Sequence, residues 1–159
     1  MNTIYLLLGS NLYKPEAQLR LAEKMIAETI GRITQASSFY RTAPWGNTEQ
    51  PDFVNRVLVA ETLLNATTAL KNILEIEKEM GRLRTVKNAP RIIDIDILYF
   101  NHEIVNSPFL TVPHPAIQDR RFVLIPLDEV DPGFIHPVLQ KTTTELLASC
   151  PDVLNVQKI

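Results

Sequence analysis

The stretch RIIDIDILYF, residues 91–100, decides the architecture. Its isoleucine-rich run, ending in Tyr99 and Phe100, reads as a β-strand. Side chains on a strand alternate faces, so Asp94 and Asp96 point one way and Ile93, Ile95 and Ile97 the other. Two carboxylates about 6 Å apart repel by roughly 3 kcal/mol at an effective dielectric near 20. That is a large share of a domain's ~5–15 kcal/mol stability. A cation, an arginine or water at an exposed edge would each offset it. The all-oxygen donor set favours Mg²⁺ or Mn²⁺ over zinc.

Working outward, TIYLLLGSN (3–11) is a continuous apolar run that ends in a turn, as a buried strand does. Pro15 opens a helix to about Ile30, with Leu19, Ala22, Ile26 and Ile30 in one stripe and Gly31 as its stop. RITQASSFYRT (32–42) reads as one strand, APWGNTEQP (43–51) as a long loop, and DFVNRVLVAETLL (52–64) as a third strand. Asn65 or Thr67 caps a second helix that turns Leu70, Ile73, Leu74, Glu77 and Met80 to one side and ends near Gly81. The stretch at 91–100 then completes the order βαββαβ, the pattern of a ferredoxin-like α+β sandwich. Residues 101–159 read as a C-terminal elaboration closing over one edge. It has a short hairpin and a proline-punctuated loop, an apolar run at 122–130 ambiguous between strand and helix, and a helix at 141–149.

The length of 159 residues suits a single domain spanning 1–159. One cysteine, Cys150, excludes an internal disulfide framework and fits a reducing compartment. No apolar run approaches membrane-spanning length and no cationic leader opens the chain, so the expected location is the cytoplasm, with no membrane partner. A net charge of −2 gives no general attraction to nucleic acid. The positive charge is nevertheless bunched: Arg82, Arg84, Lys87 and Arg91 stand immediately before the acidic pair. Such a cluster is either a solvated helix end and loop or a grip on a metal-bound polyphosphate. The three histidines lack metal-ligand spacing, and Cys150 has no histidine close in sequence. Thr42, Trp45, Phe53, Asn55 and Phe122 could sandwich a flat heterocycle and read its edge, or the aromatics could be ordinary core.

In combination these blocks resemble the 6-hydroxymethyl-7,8-dihydropterin pyrophosphokinases over nearly the whole chain. The resemblance runs through LLLGSN (6–11), SSFYRTAPWG (37–46), QPDFVN (50–55), GRLR (81–84), KNAPRIIDIDIL (87–98), LTVPHP (110–115) and RRFVLIPL (120–127). It implies the ferredoxin-like fold and transfer of the β,γ-pyrophosphate of ATP to the hydroxymethyl group of a reduced pterin, releasing AMP, in folate biosynthesis. It implies that Asp94 and Asp96 hold two Mg²⁺ ions and that Arg82, Arg91 and Asp96 serve catalysis. It puts Glu77, Arg84, Lys87, Ile97, Thr111, His114 and Arg120 around ATP. Thr42, Trp45, Phe53, Asn55 and Phe122 would surround the pterin, with Phe53 and Phe122 on its two faces. The expected state is a monomer whose partners are these two small molecules and not nucleic acid.

The chain departs from well-known members of that family at Leu74, Asn88, Phe109 and Pro115, and it is one residue shorter between Arg84 and Lys87. These departures bear on ATP affinity and on closure of the loop at 82–91, the expected mobile lid. Three rivals share parts of the pattern. A ligand-binding module would not need the acidic pair and the arginines to converge. An RNA-binding domain would want a basic, aromatic sheet face. Another Mg²⁺-dependent nucleotidyltransferase would use the same pair on a different acceptor.

Overall fold

The computed structural model describes residues 1–44, 49–82 and 90–159. An antiparallel sheet is built from β1 (Asn2–Ser10), β2 (Gly31–Ala36), β3 (Tyr40–Thr42), β4 (Phe53–Thr62), β5 (Asp94–Phe100) and β8 (Val156–Lys158), in the order β5-β1-β4-β3-β8, with β2 also on β4. Helices α1 (Pro15–Thr29) and α2 (Ala66–Glu79) complete the expected βαββαβ order. The strand order is that of a ferredoxin-like sandwich, with β5 beside β1 and β4 on β1's other flank.

β1 shows why its apolar run is unbroken. Ile4, Leu6 and Leu8 pack beneath α1 and α2 with Leu19, Ile26 and Ile73, while Tyr5 and Leu7 belong to a second core on the opposite face. A strand covered on both faces has no solvent side to fill with polar residues. The second core is supplied by the C-terminal region: α3 (Arg121–Val130) brings Val123, Leu124 and Leu127, and α4 (Thr143–Ala148) brings Leu146. The expectation of an elaboration over one edge is therefore corrected. The tail covers a whole face, and only β8 extends an edge.

Two further expectations change. Residues 32–42 form two strands, because Ser37 replaces regular pairing: its N–H donates to the Val57 carbonyl and its Oγ accepts from the Val57 N–H at 3.0 Å. The strand expected at 91–100 begins at Asp94. In the tail, β6 (Val105–Asn106) and β7 (Thr111–Val112) form the expected hairpin, and 122–130 resolves as helix. Asn65 is the cap of α2, accepting from the Thr68 N–H at 2.9 Å, and Gly81 ends it at φ +89°, a conformation that favours glycine.

The face-covering tail is fastened to β3 by Glu129, which accepts hydrogen bonds from the Tyr40 hydroxyl and from the N–H and Oγ of Ser38. Burial pushes the Glu129 carboxyl up, but these donors outweigh it and hold it below its ordinary value. A depressed carboxyl stabilises above its unfolded pKa, and that stability is lost as pH falls through the folded value. Glu129 is solvent-exposed, so Glu129→Ala is expected to cost at most about 1 kcal/mol at pH 7, and less as pH falls below the ordinary carboxyl range. Urea unfolding at neutral and acidic pH measures the difference.

Candidate active site

β5 is an edge strand, and its pairing with β1 sets the site. Gly9 lies opposite Asp94, Leu8 opposite Ile95 and Leu7 opposite Asp96. The register then skips Leu98, so that Leu6 faces Ile97 and Tyr5 faces Tyr99. Before this bulge Ile95 and Ile97 enter the core under α1 and α2, which leaves Asp94 and Asp96 together on the face that α3 covers. The pair therefore shares a face, as the spacing implied, but not at a freely exposed edge. Both carboxylates are only partly exposed.

The Asp94 carboxylate is held by two arginines. Arg82 Nη1 donates to its Oδ1 at 2.7 Å, and Arg91 Nη1 donates to its Oδ2 at 3.0 Å. Arg82 also bonds Glu77 Oε2 at 2.5 Å. Glu77, 3% exposed, accepts in turn from the Ile95 N–H at 2.9 Å, a donor on the edge strand β5. Burial raises the Glu77 carboxyl above its ordinary value, and the Ile95 N–H and Arg82 pull against that rise. Asp96 is pushed up to about 7, first by burial and then by the charges of Asp94 and Glu77. The centre thus gathers three carboxyl groups, Glu77, Asp94 and Asp96, whose negative charge two guanidinium groups offset in part.

A cavity of about 710 Å³ surrounds this centre, within the size range of small-molecule sites. At one end stand Thr42, Phe53, Asn55 and Phe122, all expected pterin residues. The Asn55 amide donates to Thr42 Oγ1 at 2.8 Å, and both residues are buried, which fixes the amide's orientation. Around the carboxylates and beyond them lie Glu77, Ile97, Thr111, His114 and Arg120, with Leu74, Phe109 and Pro115. His114 accepts at Nδ1 from the Ala116 N–H, so the neutral ring carries its proton on Nε2. Burial, then the charge of Arg120, holds its pKa below the ordinary value. The cavity thus brings together every expected site residue that is described. Trp45, Arg84, Lys87 and Asn88, with most of the expected lid at 82–91, lie outside the described residues.

Two residues of the site were not singled out from sequence. Asn11, 2% exposed, gives its amide to Gln50 Oε1 at 2.7 Å and to the Pro51 carbonyl at 3.0 Å, and accepts from the Arg91 N–H at 2.9 Å. It ties the loop before Phe53 to the arginine before Asp94. The available signal was an amide ending a buried strand in LLLGSN. Gly9 is the other. A Cβ there would stand 2.7 Å from Asn55 Oδ1. Gly9→Ala is expected to leave the fold intact and turn the Asn55 amide off Thr42, which would weaken any ligand that the amide holds about tenfold, the worth of one hydrogen bond. If the expected pterin assignment holds, fluorescence titration with a pterin measures this.

No group of three or more His, Cys, Asp and Glu side chains is arranged to hold a metal among the described residues. Two carboxylates nevertheless suit a cation that arrives with phosphate oxygens and water filling its remaining positions, as Mg²⁺ commonly does. No helix among the described residues is long and apolar enough to cross a membrane.

Comparison with known proteins agrees with this geometry. The profile of the 7,8-dihydro-6-hydroxymethylpterin-pyrophosphokinase (HPPK) family matches residues 5–132. A 2-amino-4-hydroxy-6-hydroxymethyldihydropteridine pyrophosphokinase of Haemophilus influenzae is 39% identical over 96% of this chain and 95% of its own length. A folic acid synthesis protein of Dictyostelium discoideum is 38% identical over 99% of this chain, which spans only 24% of that longer protein. Among solved structures, wild-type HPPK-DHPS of Plasmodium falciparum with pteroate superposes with a TM-score of 0.76 at 19% identity, covering 92% of this chain and 42% of that one. That likeness bears on the fold.

Proposed function

The chain belongs to the 7,8-dihydro-6-hydroxymethylpterin-pyrophosphokinase family, transferases of folate biosynthesis, and from that premise we propose its reaction and the part each residue plays in it. The substrates are ATP and 6-hydroxymethyl-7,8-dihydropterin. The pterin hydroxyl gives up its proton to solvent as its oxygen attacks the β-phosphorus, the bond from that phosphorus to the oxygen bridging it to the α-phosphate breaks, and AMP leaves. The observation that carries this reading is the carboxylate pair midway along one cavity, with an aromatic, amide-bearing end on one side and arginines beside it.

At the aromatic end Phe53 and Phe122 cover the two faces of the pterin, and Asn55, held by Thr42, reads its edge. Trp45 is proposed as a further pterin residue by its place in the family pattern alone. Arg82 and Arg91 take up phosphate charge, while Glu77, Ile97, Thr111, His114 and Arg120 border the nucleotide, with Arg84 and Lys87 as further phosphate partners. The planar forks of the arginines suit phosphate oxygens. Asp94 and Asp96 would hold Mg²⁺, two ions with ATP. When bound, the cation would draw charge from the phosphate oxygens and lower the proton affinity of the acceptor hydroxyl. Transfer of this kind asks for positioning and charge stabilisation more than for a protein nucleophile. Catalysis therefore rests on Arg82, Arg91 and Asp96.

The sheet shared by both cores supports a single domain over 1–159, and a monomer is the state proposed. Cytoplasmic residence accords with the substrates. Incubated with ATP, Mg²⁺ and the pterin, the protein is expected to give AMP and the pterin diphosphate, with AMP formation strictly dependent on the pterin. Chromatography of the nucleotide products decides it: ADP, or AMP at the same rate without pterin, would sink the proposal.

A further inference from the structure

The last ten residues carry an arrangement that the reaction itself does not explain. Asp152 uses its two carboxylate oxygens on two different elements. Oδ2 accepts from the Arg121 N–H at 3.0 Å, and Oδ1 accepts from the Leu154 N–H at 2.9 Å. The first bond serves α3, whose own cap position, Arg120, supplies no side-chain cap. The opening N–H groups of a helix lack intrahelical partners, and a negative charge there is favoured. The second bond closes the turn that launches β8. β8 then pairs along all of β3, with Val156 opposite Thr42 and Lys158 opposite Tyr40, and the Ile159 N–H reaches the Phe39 carbonyl at 3.0 Å.

Both anchored elements wall the same end of the cavity. The first turn of α3 carries Phe122, preceded by Arg120 and Arg121, and β3 ends in Thr42, the acceptor that orients the Asn55 amide. β3 is three residues long and α3 begins without a cap of its own. Short elements of this sort are poorly fixed unless something else holds them. We infer that Asp152 is a positioning residue for the pterin end. Through α3 it sets the place of Phe122, and through β8 it steadies the strand that presents Thr42. The inference rests on the pterin assignment given above. Asp152 touches neither substrate, so its contribution is to substrate binding at one end of the cavity.

Asp152→Ala is expected to raise KM for the pterin about tenfold while kcat and KM for ATP stay within twofold. Asp152→Asn keeps one of the two oxygen acceptors and is expected to give a pterin KM between those of Asp152→Ala and the original. Amide hydrogen exchange is expected to quicken in Asp152→Ala at Arg121–Val123 and at Tyr40–Thr42, and not at Asp94–Phe100. Equal rises in both KM values, a fall in kcat alone, or unchanged exchange at those segments would overturn the inference. An Asn variant no better than Ala would do so too. The exchange measurement needs no substrate. A wild-type protein that makes no AMP from the pterin would therefore remove the functional reading, while exchange still decides whether Asp152 holds these walls.

Discussion

Asp96→Asn is expected to lose turnover by about a thousandfold or more and, in the same molecule, to gain thermal stability at pH 8. The first half follows from its place beside Asp94 at the centre of the cavity. Charge stabilisation at a transferring phosphoryl group is worth several kcal/mol, and each 1.36 kcal/mol is a factor of ten in rate. The second half follows from its titration. Its folded-state pKa stands at about 7, well above the ordinary 3.8, through burial and the charges of Asp94 and Glu77. A group raised in this way contributes its full stability below the unfolded value and loses it as pH rises through about 7. Above pH 7 the ionised Asp96 therefore works against the fold. The amide removes that cost, so the melting temperature should rise by a few degrees at pH 8, with little change at pH 4. Melting curves recorded without divalent ions, beside AMP production by the same variant, test both halves. A variant that keeps its rate, or that melts lower at pH 8 than the original, would contradict the assignment.

The second large effect is expected at Arg82. Its guanidinium stands between Glu77 Oε2 and Asp94 Oδ1, with Glu77 almost wholly buried. Arg82→Ala leaves that buried carboxylate facing Asp94 and Asp96 with less relief, and breaking a buried pair on one side costs about 3–5 kcal/mol. Turnover should fall by at least a hundredfold, since the charge partner proposed for the moving phosphates goes with it. Adding Glu77→Gln to Arg82→Ala separates the two losses. The amide oxygen still accepts from the Ile95 N–H, so most of the stability should return while the rate does not. If stability and rate recovered together, Arg82 would be acting only as a counter-ion to Glu77.

Much of this was readable in the chain because local pattern and tertiary placement agree. The alternation in RIIDIDILYF put the two aspartates on one face, and the β5–β1 register keeps them there. The unbroken apolar run of β1 implied cover on both faces. What covers the second face was not legible. FVLIPLDEV has too short a run to choose between strand and helix, and contact with Leu7, Val57 and Leu98 selects the helix despite Pro126 within it. β8 has almost no signal, since three residues with one apolar side chain become a strand only beside an edge that receives them. The break at Ser37 escaped detection because a side-chain oxygen substitutes there for a carbonyl. In the site, Arg82 and Arg91 were legible as a basic cluster. Their shared hold on Asp94 was not, because it joins the end of a helix to the start of a strand across a stretch outside the described residues.

The pairing of β5 with β1 has a consequence for the order of events when the chain folds. Gly9 meets Asp94 only after more than half of the chain has been looped between them, a contact whose closure entropy must be met before it yields any stability. The hairpin-like neighbours β2, β3 and β4 can form without it. A nascent chain that ends before residue 94 therefore holds Thr42, Phe53 and Asn55 but neither aspartate of the pair, and it offers ligands half a cavity. Substrates should bind no intermediate lacking β5, and saturating them should slow global unfolding more than it speeds refolding.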